Sequence, residues 1–206
     1  MVHEFSLKKG TTTVGIKTRE GVVLAADKRA TAGYLVANKK VKKILPLTEY
    51  CAITIAGTVA QAFFLADALR AQAQLYSLRN GERLAIKSIA NIASNLLNSQ
   101  KFYALPVQLI MGGYDSSPQL LMVDFFGSVS EEEYIVTGSG SPVAMGVVVT
   151  NYKPDMTLKE AQRLCAQAIS AAIQWDTATG EGIDVVTVSH VGIEQADGEK
   201  IRNLLS

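Results

Sequence analysis

Two charged side chains stand where an extended chain would turn them inward. At the strand period of two, Lys43 shares a face with Val41 and Leu45, and Asp27 shares one with Val23 and Ala25. An ammonium and a carboxylate among apolar neighbours are costly unless they meet. The other reading is that both lie at strand ends and point into solvent, as Lys and Asp mostly do. The run Gly10-Thr11-Thr12-Thr13-Val14-Gly15 gathers hydroxyls, and equally fits an edge strand entered through a glycine. Other catalytic sets are weak. Of the two histidines, His3 sits in the N-terminal tail and His190 follows a strand-like run, so a Ser-His-Asp triad or a zinc site would have to draw on one of them. Gly138-Ser139-Gly140 is a short turn, and the chain has no GxxxxGK[ST] phosphate loop. Glu131-Glu132-Glu133 reads as a solvated turn between strands.

The elements that must position these residues come in groups. Residues 11–18 (TTTVGIKT), 22–26, 41–47 and 51–56 read as strands, separated by turn signals such as Glu20-Gly21 and Gly33. Over residues 58–78 the period changes, and Val59, Ala62, Phe63, Ala66, Leu69, Ala73 and Tyr76 recur at helical steps. Asn80-Gly81 breaks that helix. A second one carries Ala85, Ile89, Ile92, Ala93, Leu96 and Leu97, and Pro106 helps end the region. Strands return at residues 107–112 and 119–125, joined through Asp115-Ser116-Ser117-Pro118, and again at 134–137. Pro142 suits a first helical turn, and Thr157-Leu158-Lys159-Glu160 is a capping-box sequence opening another helix. Residues 184–189 (DVVTVS) read as a last strand, followed by a short helical tail. The order is strands, two helices, strands, two helices, strand. Two packed sheets with helices on both outer faces serve that order well.

Length and charge narrow the classes. A chain of 206 residues, 48% hydrophobic and 19% charged, is globular and long enough to fold without a disulfide or metal staple. A net charge of +1 gives no support to nucleic acid or an anionic membrane as the main partner. No apolar stretch approaches ~18 residues, and the first ten residues lack the apolar core of a secretory signal. Cys51 and Cys165 both fall in apolar patterns and read as buried free thiols of a reducing cytoplasm.

Taken together, these pieces resemble the proteasome β subunits, members of the N-terminal nucleophile hydrolase class, and most closely the archaeal type. The resemblance rests on GTTTVGI at residues 10–16, Ala25-Ala26-Asp27-Lys28-Arg29, Lys43, Ala56-Gly57, TGSGSP at residues 137–142 and the stretch 171–180 with its Asp176. It implies an α+β fold, a four-layer αββα sandwich of two antiparallel sheets flanked by helix pairs. It also implies a propeptide at residues 1–10 and a single hydrolase domain at 11–206.

The resemblance further implies autolysis between Gly10 and Thr11. The Thr11 hydroxyl would then be the nucleophile and its freed α-amine the base. Lys43 would lower the amine's proton affinity, and Asp27 would hold Lys43 in place. The Gly57 N–H would donate to the oxyanion, and Ser139, Asp176 and Thr179 would surround the new N-terminus. Thr179 stands where the family commonly has serine. The hydroxyl is kept and a methyl is added. By the same resemblance Ala30, Val41, Leu45, Ile55 and Val59 line an uncharged pocket for the side chain before the cut, favouring large hydrophobic residues. Ordinary core packing accounts for those five equally well. Thr31 would pair its backbone with an extended substrate. The implied activity is a threonine-type endopeptidase degrading unfolded proteins in the cytoplasm, with no metal or organic cofactor. The implied partners are other β subunits, rings of α subunits and an ATP-driven unfoldase. A non-catalytic structural β subunit of the same ring is the alternative. A bacterial two-component ATP-dependent peptidase shares the Thr-Thr start, but its core is shorter in the C-terminal half.

Overall fold

The computed structural model describes residues 10–100 and 107–205. Pro106 and the first nine residues of the expected propeptide lie outside the described residues. The chain begins with β1 (Thr12–Lys17), β2 (Gly21–Asp27), β3 (Ala30–Ala32), β4 (Leu35–Asn38), β5 (Ile44–Thr48) and β6 (Cys51–Gly57), followed by α1 (Val59–Asn80) and α2 (Ile86–Gln100). Next come β7 (Val107–Tyr114), β8 (Pro118–Val123), β9 (Val129–Glu131) and β10 (Tyr134–Gly138), then α3 (Ser141–Asn151) and α4 (Leu158–Trp175). The chain closes with β11 (Ile183–Ser189), β12 (Gly192–Gln195) and α5 (Gly198–Leu205).

Two five-stranded sheets result, ordered β10-β1-β2-β11-β12 and β5-β6-β7-β8-β9. Every strand pair in both is antiparallel. The run Gly21–Asp27 is buried throughout because its sheet is covered on both faces. Val23 and Ala25 face α3 and α4, with Ala144, Val148, Leu164 and Ile169 in the same core. Val22, Leu24 and Ala26 face the second sheet, among Ile110 and Leu120. The far side of that sheet packs Ile53, Leu109 and Met111 against Leu65 and Leu69 of α1 and Ile89 of α2. The layers are thus helix, sheet, sheet, helix, as expected, with α5 added beside α4 through Leu204.

Local signals act where they were read. Thr157 and Glu160 close a reciprocal cap, with Glu160 N donating to Thr157 Oγ1 at 3.3 Å and Thr157 N to Glu160 Oε2 at 2.7 Å. Pro142 falls in the first turn of α3. Four points differ from the expectations. The strand expected over 41–47 starts only at Ile44. Glu131 is not in a turn but closes β9 opposite Leu121, and its carboxylate meets Lys87 at 2.8 Å and Lys17 at 3.6 Å. A further strand, β12, follows the one read as last, and the hairpin β3–β4 was not anticipated. Leu35–Asn38 is exposed along its length, so no burial alternation marks it.

Candidate active site

Asp27 is the last residue of β2, paired opposite Ile183 of β11, and is fully buried. Lys43, 3% exposed, immediately precedes β5 and accepts from Ile55 N at its carbonyl. Its Nζ lies 2.7 Å from Asp27 Oδ1. Strand parity alone would not bring them together. Val23 and Ala25, on the Asp27 face, belong to the α3/α4 core, whereas Leu45, on the Lys43 face, belongs to the α1/α2 core. The pair meets because both residues sit at strand ends, where the two stacked sheets open.

The Asp27 carboxylate is well supplied with donors. Thr12 N donates to Oδ1, and Arg29 N and Gly180 N donate to Oδ2, each at 3.0 Å. Burial pushes the Lys43 ammonium below the ordinary lysine value, and Asp27 opposes that shift.

Thr11, 5% exposed, lies just ahead of β1. Its hydroxyl donates to the Gly10 carbonyl oxygen at 2.7 Å, and Lys43 Nζ donates to the same oxygen at 3.4 Å. On the other side, Thr11 N donates to Ser139 Oγ at 3.2 Å. Ser139, in the turn between β10 and α3, lies 2.5 Å from Asp176 Oδ2, to which Thr179 Oγ1 also donates at 2.5 Å. Asp176 is held at the C-terminal end of α4 by its N–H on the Ala172 carbonyl. The Thr179 hydroxyl also lies 2.7 Å from Thr12 Oγ1.

Gly57 closes β6 with φ 120, a conformation that glycine tolerates and side chains resist. Gly10 is constrained differently, because a Cβ there would lie 1.8 Å from Ala178 Cβ. Its N–H donates to Thr31 Oγ1 at 3.0 Å. Thr31 sits in β3, which pairs with β4 alone, so its other edge carries no strand among the described residues. A cavity of about 690 Å³ opens beside Gly10, walled by Thr31, Tyr34, Val36, Ser139 and Ala178. Ala30, Val41, Leu45 and Ile55 do not line it. Leu45 and Ile55 are 6% and 4% exposed and pack in the α1/α2 core, Ala30 and Val41 are half-buried, and Val59 opens α1 with its side chain outside the described part. Among the described residues no three His, Cys, Asp or Glu side chains converge as a metal site would.

This geometry gathers Thr11, Asp27, Lys43, Ser139, Asp176 and Thr179 around one peptide bond. The family model described as "Proteasome subunit" matches residues 7–188, which span every one of them. The chain belongs to the proteasome subunit family. It is 50% identical over 185 residues to "Proteasome subunit beta 2" of Ignicoccus hospitalis, covering 90% of this chain and 87% of the relative. It is 46% identical over 194 residues to "Proteasome subunit beta 2" of Aeropyrum pernix, covering 94% of this chain and 89% of the relative. "Proteasome subunit beta 1" of Saccharolobus islandicus is 45% identical over 194 residues, covering 94% and 92%.

Within this proteasome-family chain, several residues at the site were not picked out from sequence. Thr12 and Thr13 are both fully buried with separate duties. Thr13 Oγ1 lies 2.8 Å from Thr137 Oγ1 and accepts from Thr54 Oγ1 at 3.1 Å, which links the two sheets through hydroxyls. Alternation along the Thr run was the available signal, since neighbouring strand residues face opposite ways. Ala178, Tyr34 and Val36 carried no such signal.

Proposed function

We propose that this chain is a catalytic β subunit, a threonine-type endopeptidase that matures by cutting itself between Gly10 and Thr11. The observation that carries the reading is the shared carbonyl. The Thr11 hydroxyl and the Asp27-backed Lys43 ammonium both bond the Gly10 oxygen, at 2.7 and 3.4 Å. In self-cleavage, Thr11 Oγ adds to the Gly10 carbonyl carbon while Lys43 Nζ lies on the side where the oxyanion develops. The Gly10–Thr11 C–N bond breaks, the nitrogen takes up the proton that the Thr11 hydroxyl gives up, and an ester remains. Water hydrolyses the ester, freeing the Gly10 carboxylate and the Thr11 α-amine. Residues 1–10 are then a propeptide, and residues 11–206 form the working hydrolase.

In the mature subunit the α-amine takes the Thr11 hydroxyl proton, a Thr–amine pair that is among the known activated nucleophiles. Its ordinary pKa of ~7.7–8.0 suits a general base near neutrality. While protonated, Lys43 favours the neutral amine. Ser139, Asp176 and Thr179 orient the amine through the chain that now holds Thr11 N. An N–H from Gly57 on the oxyanion contributes about 3–4 kcal/mol to transition-state stabilisation. Half-buried Ala30 and Val41 offer an uncharged surface that favours hydrophobic side chains before the cut, and the backbone at Thr31 pairs with an extended substrate. The partners are other β subunits, α-subunit rings, an ATP-driven unfoldase and unfolded protein, in the cytoplasm. Two free, buried cysteines suit that compartment.

Relatives designated both beta 1 and beta 2 give weight to a second reading, a structural β subunit that leaves cutting to another chain. The mass of the assembled protein separates the two. Loss of residues 1–10, abolished by Thr11→Ala together with cleavage of hydrophobic peptides, is the expected result. Retention of the segment in the assembled wild-type protein, with no peptidase activity, favours the structural role.

A further inference from the structure

Arg29 follows β2 and its side chain turns back over the loop that leads from α4 to β11. Its Nη1 donates to the Thr177 carbonyl at 2.8 Å, and its Nη2 lies 3.2 Å from Glu181 Oε1. Between these two bonds the guanidinium lies flat on Gly180. A Cβ on Gly180 would come within 2.4–2.6 Å of Arg29 Cζ, Nη2 and Nε, and those are its three nearest neighbours. Nε itself is buried without a hydrogen-bond partner, so the fork is spent on the loop at the expense of one donor. Glu181 takes φ 65, the only positive φ among described non-glycine residues, and its carboxylate is also 3.9 Å from Lys39 Nζ. The backbone on the far side of the loop is tied as well, with Gly180 N and Arg29 N sharing Asp27 Oδ2.

We propose that Arg29 is a positioning residue for the Thr11 centre, a clasp whose guanidinium fork clamps residues 176–181 against Asp27, and that Gly180 lacks a side chain to admit it. The proposal rests on the hydrolase reading above for its effect on turnover. Its structural half does not. The clamped loop carries Asp176 and Thr179, and Asp176 reaches Thr11 N through Ser139. Loosening the loop therefore displaces the groups that orient the nucleophile, while of the cavity beside Gly10 it carries only the wall at 176–178 and leaves Thr31, Tyr34 and Val36 in place. Lysine keeps the charge at 29 but has no planar fork to span the Thr177 carbonyl and Glu181 together. Burial and Asp27 dominate the proton affinity of Lys43, and the Arg29 cation adds only the smallest of the lowering influences.

Five forms of the assembled protein test this: wild type, Arg29→Lys, Arg29→Ala, Gly180→Ala and the double variant Arg29→Ala/Gly180→Ala. The expected result is a kcat reduced about tenfold or more in Arg29→Ala, with KM for a hydrophobic peptide changed far less, and partial rescue in Arg29→Lys. Gly180→Ala should be as damaging as Arg29→Ala alone but add almost nothing to it, because the atoms its methyl strikes belong to Arg29. Hydrogen exchange of the segment 176–182 reads the clasp independently of activity, and should quicken in Arg29→Lys and Gly180→Ala while α4 and β11 stay protected. Additive losses from the two sites, or unchanged exchange in that segment, would overturn the proposal. An inactive wild type whose loop still loosens in the variants would instead retire the hydrolase reading and leave the clasp standing.

Discussion

Replacing Asp27 by alanine should be the most costly single change at the site, and its cost should depend on pH. Asp27 is fully buried and its carboxylate meets Lys43 Nζ at 2.7 Å and three backbone N–H groups at 3.0 Å. Removing it strands an ammonium that is 3% exposed, whose other contact is the Gly10 carbonyl at 3.4 Å. Breaking a buried pair in this way costs about 3–5 kcal/mol. For a chain of this length that corresponds to a fall in unfolding midpoint of roughly 6–20 °C. Lys43→Ala should cost less, because Asp27 keeps its three N–H donors. Burial already holds Lys43 below its ordinary value of 10.5, and Asp27 is the largest opposing influence. Without Asp27 the folded-state value falls further. The folded protein then releases the Lys43 proton at lower pH than the unfolded chain does. Stability of the variant therefore climbs with pH through that interval. Thermal unfolding of wild type and Asp27→Ala, followed by circular dichroism at pH 6, 7.5 and 9, should show a gap that narrows toward pH 9. A midpoint within about 2 °C of wild type, or a gap that widens with pH, would refute the claim that the pair is desolvated and mutually dependent.

Three further outcomes follow from the same contacts. Gly10→Ala should slow loss of residues 1–10, measured by intact mass over time, because its methyl would lie 1.8 Å from Ala178 Cβ; adding Ala178→Gly should restore it only in part, since the Ala178 Cα and carbonyl oxygen remain at 2.6 Å. Thr179→Ser should keep peptidase activity within about twofold, while Thr179→Val should lose about 1–3 kcal/mol of stability and most turnover, because Asp176 Oδ2 and Thr12 Oγ1 each lose a partner. Burial pushes the Cys51 thiol up to about 12 and raises Cys165 as well, so iodoacetamide at pH 8 should label neither cysteine in the folded protein and both after denaturation, as counted by mass.

The sequence by itself determined the elements and their inward faces. The unbroken apolar run of β2, the helical stripe of α2 and the capping box at Thr157 are local patterns, and each acts within a few residues of where it is written. It also marked Asp27 and Lys43 as charges in apolar company. Periodicity ranks positions by face within one element and says nothing about which strand ends lie opposite one another. The stacking of two sheets brought Lys43 to Asp27 from strands whose outer faces look in opposite directions. The same stacking drew Leu45 and Ile55 into the α1/α2 core, although their spacing fits a substrate pocket as well. Tertiary structure alone set Ala178 against Gly10 and laid Arg29 over Gly180, because those contacts join chain segments that no local rule relates. The exposed strand β4 and the turn before it, whose Val36 and Tyr34 wall the cavity, left no trace in the pattern, since residues that bury little have no period to read.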